Sequence, residues 1–176
     1  MKFVAKILMI FLLSTNIFAE GLNIYSVGIY DIKFDNSDDK QTSDFRYEVR
    51  LDESIFDIGP EQDNFFFLKP FFGIELTGES AFYALGGIYL EDNLGQLFSN
   101  KKNKLIFTPS FGAGYYENGD GLDLGNDLQF RTTLEISYVL ENYNRLGLSF
   151  GHISNANLGN KNPGVEVIAI NYQIPF

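Results

Sequence analysis

The chain has 176 residues, a formal net charge of −10, one histidine and no cysteine. That length suits one domain, and the acidic balance excludes nucleic acid as a partner, because phosphate binding needs clustered Lys and Arg. With no cysteine there is neither a disulfide framework nor thiol chemistry.

The first segment opens with Lys2 and Lys6, runs apolar over residues 7–13 and reaches Asn-Ile-Phe-Ala at 16–19. A basic start, a short apolar core and a small residue before the break predict a signal peptide over 1–19. It is too short and wrongly flanked for a spanning helix. Ile17 departs from the small residue usual three places before cleavage, and a membrane anchor is the competing reading. Removal leaves a single domain over 20–176 and, without the two lysines, a net charge of −12. No second apolar run approaches the length of a spanning helix. The remaining composition holds 18 Phe, 10 Tyr and 17 Gly at a mean hydropathy of −0.06. A β-barrel with alternating lipid-facing and inward side chains averages to that neutral value.

Eight strands are predicted. The first covers 22–32. The second, 43–51, alternates Phe45, Tyr47, Val49 and Leu51 with Asp44, Arg46, Glu48 and Arg50. The third, 65–76, sets Phe66, Leu68, Phe72, Ile74 and Leu76 opposite Lys69, Gly73 and Glu75. The fourth, 80–90, is apolar on both faces. The fifth, 104–115, carries Leu105, Phe107, Phe111 and Tyr115 opposite Thr108, Ser110, Gly112 and Gly114. It also contains Pro109, which costs a ladder hydrogen bond or marks a bulge. The sixth, 128–140, alternates Leu128, Phe130, Leu134, Ile136, Tyr138 and Leu140 with Gln129, Arg131, Thr133, Glu135 and Ser137. Segment 52–64 is long for a turn and leaves room for a helical turn or a short extra strand.

These lengths suit tilted strands crossing a bilayer. Arg46, Arg50, Lys69 and Arg131 nearly balance Glu48, Glu75 and Glu135, as expected of an ion-paired barrel interior rather than a pore. The expected architecture is an all-β, eight-stranded antiparallel transmembrane barrel. Its competitor, an exported soluble sandwich, would turn those charges to water. The closing aromatic, Phe176, fits an outer-membrane barrel better.

The seventh and eighth strands, 145–152 and 165–176, form the last hairpin. Leu146, Leu148, Phe150 and His152 share one face of the seventh, and Glu166, Ile168, Ile170, Tyr172, Ile174 and Phe176 share one face of the eighth. Side chains alternate along a strand, so if the seventh continues two residues further, Ser154 joins His152. The hairpin then brings His152, Ser154 and Glu166 to one end of one apolar face. A nucleophile, a base and an orienting carboxylate are the parts of a hydrolytic triad. A lone histidine at a strand end is ordinarily a hydrogen-bonded surface residue; the company of a hydroxyl and an acid on the same face argues for more.

His-Ile-Ser-Asn-Ala at 152–156 followed by Glu166 resembles the signature of the lipid A 3-O-deacylases of the PagL type, outer-membrane barrel esterases with a His-x-Ser motif and a Glu twelve residues after the Ser. Asn-Pro-Gly at 162–164 resembles the family's loop. The resemblance is dense over 115–176 and thin before. It implies catalytic His152, Ser154 and Glu166, with Asn162 in the oxyanion hole. It further implies a lipopolysaccharide substrate among outer-membrane lipids, the 3-O acyl ester of lipid A as the bond cleaved, and neither cofactor nor metal. A non-catalytic structural or adhesive barrel and an outer-membrane phospholipase are the alternatives. A homodimer stays open. With both termini on the periplasmic side, loops 33–42, 116–127 and 153–164 lie outside the cell. The second of these carries Asn118, Asp120, Asp123, Asn126 and Asp127, a solvated acidic loop or, less simply, a calcium site. Glu and His on a lipid-facing wall are costly unless paired and functional; a hydrolase acting on a membrane lipid needs them there.

Overall fold

The computed structural model describes residues 20–32, 41–58, 66–94 and 104–176. The predicted signal segment, most of loop 33–42 and part of segment 52–64 lie outside the described residues.

Period-two alternation becomes strand wherever it was expected. Eight long strands are present: β1 (Gly21–Tyr30), β2 (Thr42–Leu51), β4 (Phe66–Thr77), β5 (Phe82–Tyr89), β7 (Leu105–Glu117), β8 (Leu128–Val139), β9 (Arg145–Ser154) and β10 (Val165–Pro175). Two short ones, β3 (Phe56–Ile58) and β6 (Asp92–Asn93), extend the sheet at the end that holds the termini. β3 pairs with β4 and is the extra strand for which segment 52–64 left room; β6 pairs with β7 and had no signal of its own. Each long strand runs antiparallel to the next, and β1 pairs with β10, so the sheet closes on itself. Closure removes the open edges that a sheet cannot expose to hydrocarbon.

Pro109 sits where this sheet is patched. Its carbonyl accepts the Leu90 N–H at 3.0 Å, between the end of β5 pairing at Tyr89 and the start of β6 pairing at Asp92. The missing donor therefore falls at the break between two strands, where it costs least.

The side-chain period sorts the wall into two surfaces. Outward, Val27, Phe45, Leu134, Leu148 and Ile170 are each about half exposed, as a membrane-spanning wall requires. Inward, charge is buried and paired. Arg50 forms a fork on Glu135 at 2.8 and 3.2 Å and also donates to Glu48 at 2.7 Å. Glu135 accepts further bonds from Asn171 at 3.1 Å and Gln173 at 2.8 Å, and Arg131 pairs with Glu75. Buried ions persist when they are paired and hydrogen-bonded, as Arg50 and Glu135 are here.

The interior charge network differs from expectation at one residue. Lys69 is not part of it. It pairs with Asp52 at the mouth near the termini, where its long side chain keeps its ammonium partly in water.

An apolar cluster fills another part of the interior. Tyr83, Tyr116, Leu124, Ile153 and Val165 crowd beneath the loops at the end away from the termini. This explains the weak alternation of β1 and β5. Ile24 and Tyr30 of β1, and Tyr83, Leu85 and Tyr89 of β5, are apolar yet face inward. The lumen is part salt-bridged and part hydrophobic, so inward positions are not uniformly polar.

Candidate active site on the outer wall

β9 and β10 place the predicted residues. The register sets His152 directly opposite Glu166, with Ile168 opposite Phe150 and Ile170 opposite Leu148 one and two steps below. Ile153 and Val165, the odd neighbours, are fully buried, so parity forces His152 and Glu166 onto the outer wall. Directly opposed residues on one face stand close enough for their side chains to meet. Here His152 Nδ1 lies 3.1 Å from Glu166 Oε1. Their side chains are 47% and 34% exposed, so the pair is open to a ligand at the wall.

β9 continues through Ser154, which pairs with Phe130 of β8. The condition for Ser154 to share the His152 face is therefore met. Ser154 lies beyond the last β10 pairing, half-buried, with no hydrogen bond to its side chain among the described residues. With Nδ1 taken up by Glu166, Nε2 is the imidazole nitrogen left to receive a proton from the hydroxyl.

The chain turns immediately after Ser154. Leu158 N–H donates to Asn155 C=O at 3.0 Å, and Ala156 and Asn157 have φ of 52° and 62°. Two successive left-handed residues define a type I′ turn. Asn tolerates this backbone; for Ala156 it costs roughly 1–2 kcal/mol. Strain of this kind persists only where the surroundings hold it, and here the holder is Asn155. Fully buried, it donates from Nδ2 to Leu124 C=O and to Lys161 C=O, both at 2.7 Å. One side chain thus ties the β7–β8 loop and the β9–β10 loop together next to Ser154.

Asn162 reaches the same turn. Its Oδ1 accepts the Asn155 backbone N–H at 3.0 Å, and its Nδ2 donates to Asn157 Oδ1 at 3.3 Å. Its carbonyl oxygen is thus committed to the loop, while its amide nitrogen has a second hydrogen to offer. Sequence reasoning had singled out Asn162 and passed over Asn155. The only trace of Asn155 was its place after Ser154, which says nothing of a partner 31 residues away.

The acidic residues of loop 116–127 do not converge. Asp123 accepts the Gly125 N–H at 2.8 Å and pairs with Lys161 at 2.8 Å. The Lys161 ammonium, with the Gly125 N–H, holds its carboxyl below the usual range. No group of three or more potential metal ligands is found among the described residues. The loop's carboxylates serve, at Asp123, as a second tie to the β9–β10 loop.

Below the pair, Phe107, Leu134, Ile136, Leu148, Phe150 and Ile168 line a shallow apolar groove of about 310 Å³ on the outer wall. Phe150 and Ile168 stand one step beneath His152 and Glu166 on the same face.

Comparison with known proteins bears on the family and the fold. The family model described as lipid A 3-O-deacylase (PagL) matches residues 30–175. The lipid A deacylase PagL of Bordetella bronchiseptica (strain ATCC BAA-588 / NCTC 13252 / RB50) is 32% identical over 53 residues, 30% of this chain. That match spans only 30% of the relative's own length. A solved structure, titled as the crystal structure of the outer membrane enzyme PagL, superposes with a TM-score of 0.66 at 16% identity, covering 88% of this chain and 99% of that one. At that identity the likeness speaks for the fold.

Proposed function

The chain belongs to the lipid A 3-O-deacylase (PagL) family, and from that premise we propose that this outer-membrane barrel hydrolyses the 3-O-linked acyl ester of lipid A with Ser154, His152 and Glu166. Ser154 Oγ attacks the ester carbonyl. His152 takes its proton through Nε2 and returns it to the departing sugar oxygen. Glu166 holds the ring with Nδ1–H toward itself and stabilises the imidazolium. The sugar leaves with a free hydroxyl, and water then repeats the sequence on the acyl-enzyme, releasing a hydroxy fatty acid and restoring the Ser154 hydroxyl. Asn162 Nδ2 serves the tetrahedral oxyanion, a role worth about 3–4 kcal/mol per donor.

The observation that carries this reading is the 3.1 Å His152–Glu166 contact on the membrane-facing wall, with Ser154 next on the same face. A buried site would oblige a lipid substrate to leave its layer. A site on the wall does not. The groove beneath the pair would seat the acyl chain, leaving the ester at the height of Ser154. With the termini on the periplasmic side, that height is the outer leaflet.

Mass spectrometry of lipid A before and after exposure to the purified barrel tests the proposal. Loss of one hydroxyacyl chain is expected, and Ser154→Ala should insert normally yet leave the mass unchanged. Chain loss persisting in Ser154→Ala removes Ser154 from the mechanism. Acyl release from phospholipid but not from lipopolysaccharide would make the barrel a phospholipase. Release from neither would make it a structural protein.

A further inference from the structure

Gly164 lies two residues before Glu166, just ahead of β10. Its φ is 64°, in the left-handed region. The His152 ring lies against Gly164. A Cβ built on Gly164 would stand 3.0 Å from His152 Cε1 and 3.7 Å from Nε2. Cε1 joins the two ring nitrogens, so a methyl at that place would push the ring edge that holds Nδ1 at Glu166.

We propose that Gly164 is a positioning residue for His152: its missing side chain is the space in which the imidazole lies while bonded to Glu166. This rests on the esterase reading above. The backbone requirement and the contact are separate demands, and each selects glycine. Left-handed φ is tolerated by asparagine at small cost, but any Cβ here meets the ring at 3.0 Å and makes it give by a few tenths of an ångström. The position therefore distinguishes a turn glycine from a catalytic-site glycine.

Two variants separate the demands. Gly164→Asn accepts the backbone and adds the Cβ; Gly164→Ala adds both strain and the Cβ. A displaced general base lowers turnover by about 10–10²-fold, and KM should change little, because the substrate's binding wall is untouched. Both variants are expected to behave so, with the barrel intact by its heat-dependent gel mobility. The chain's one histidine supplies a readout independent of activity. Isotope-labelled imidazole gives a single set of NMR signals, and the Nδ1–H signal in both variants should move toward its position in Glu166→Gln. Unmoved signals, moved signals with turnover intact, or Gly164→Asn indistinguishable from wild type would overturn the proposal. Failure of the esterase reading is told apart by Ser154→Ala: hydrolysis surviving there sinks that reading, whatever the imidazole signals do.

Discussion

His152 and Glu166 face each other across adjacent strands, Nδ1 to Oε1 at 3.1 Å, and their strand neighbours Ile153 and Val165 are fully buried. The pair is fixed by backbone register, not by a mobile loop. A positioning contact built on a strand ladder is held more tightly than one built on a loop.

Replacing the carboxylate should therefore damage chemistry more than binding. Glu166→Gln keeps the shape but can present an amide N–H to Nδ1, which favours the wrong tautomer. Turnover is expected to fall on the order of 10³–10⁴-fold, measured as acyl release from lipopolysaccharide at saturating substrate. An unchanged kcat would detach Glu166 from the imidazole.

Asn155 holds two loops with one amide. Asn155→Ala strips hydrogen bonds from Leu124 C=O and Lys161 C=O, and water replaces them once the loops open locally. The loops should loosen while the barrel below stays closed. Hydrolysis should drop at least about tenfold, since a small displacement near the nucleophile suffices. The midpoint of urea unfolding, followed by gel mobility, should barely shift. A large shift with normal activity would make Asn155 part of the barrel core alone.

Glu135 is the reverse case. It accepts Arg50, Asn171 and Gln173 deep in the lumen and touches nothing on the outer wall. Glu135→Ala leaves the Arg50 guanidinium short of its main partner, which typically costs about 3–5 kcal/mol when the charge is buried. Unfolding in urea should occur at clearly lower denaturant, and the folded fraction should retain its kcat. Wild-type stability would show that the network adds little to holding the barrel.

The metal-free reading of the β7–β8 loop has its own check. Asp123 is engaged by Lys161 and Gly125, so hydrolysis is expected to proceed unchanged after treatment with EDTA. Loss of activity restored by calcium would return a cation to that loop.

Much of this molecule could be read before any coordinates. Strand ends fall within two residues of their expected places, because lipid on one side and an enclosed lumen on the other impose a strict period of two. The same parity set His152 and Glu166 on the outward face. Where the period failed, at β1 and β5, the interior itself is mixed, with Ile24, Tyr30 and Tyr83 facing inward. Lys69 was assigned to the interior by parity alone; parity gives the side of the wall but not the depth, and depth lets it reach Asp52 at the rim.

Alternation along the chain thus determined the class of fold, the number of crossing strands and the face on which each polar side chain lies, since those depend only on neighbours in sequence. Tertiary structure alone decided which strand positions stand opposite one another, that Asn155 joins loops 31 residues apart, and that the His152 ring rests over Gly164. Those relations depend on how the closed sheet brings distant backbone together, and no local pattern of residues encodes that distance.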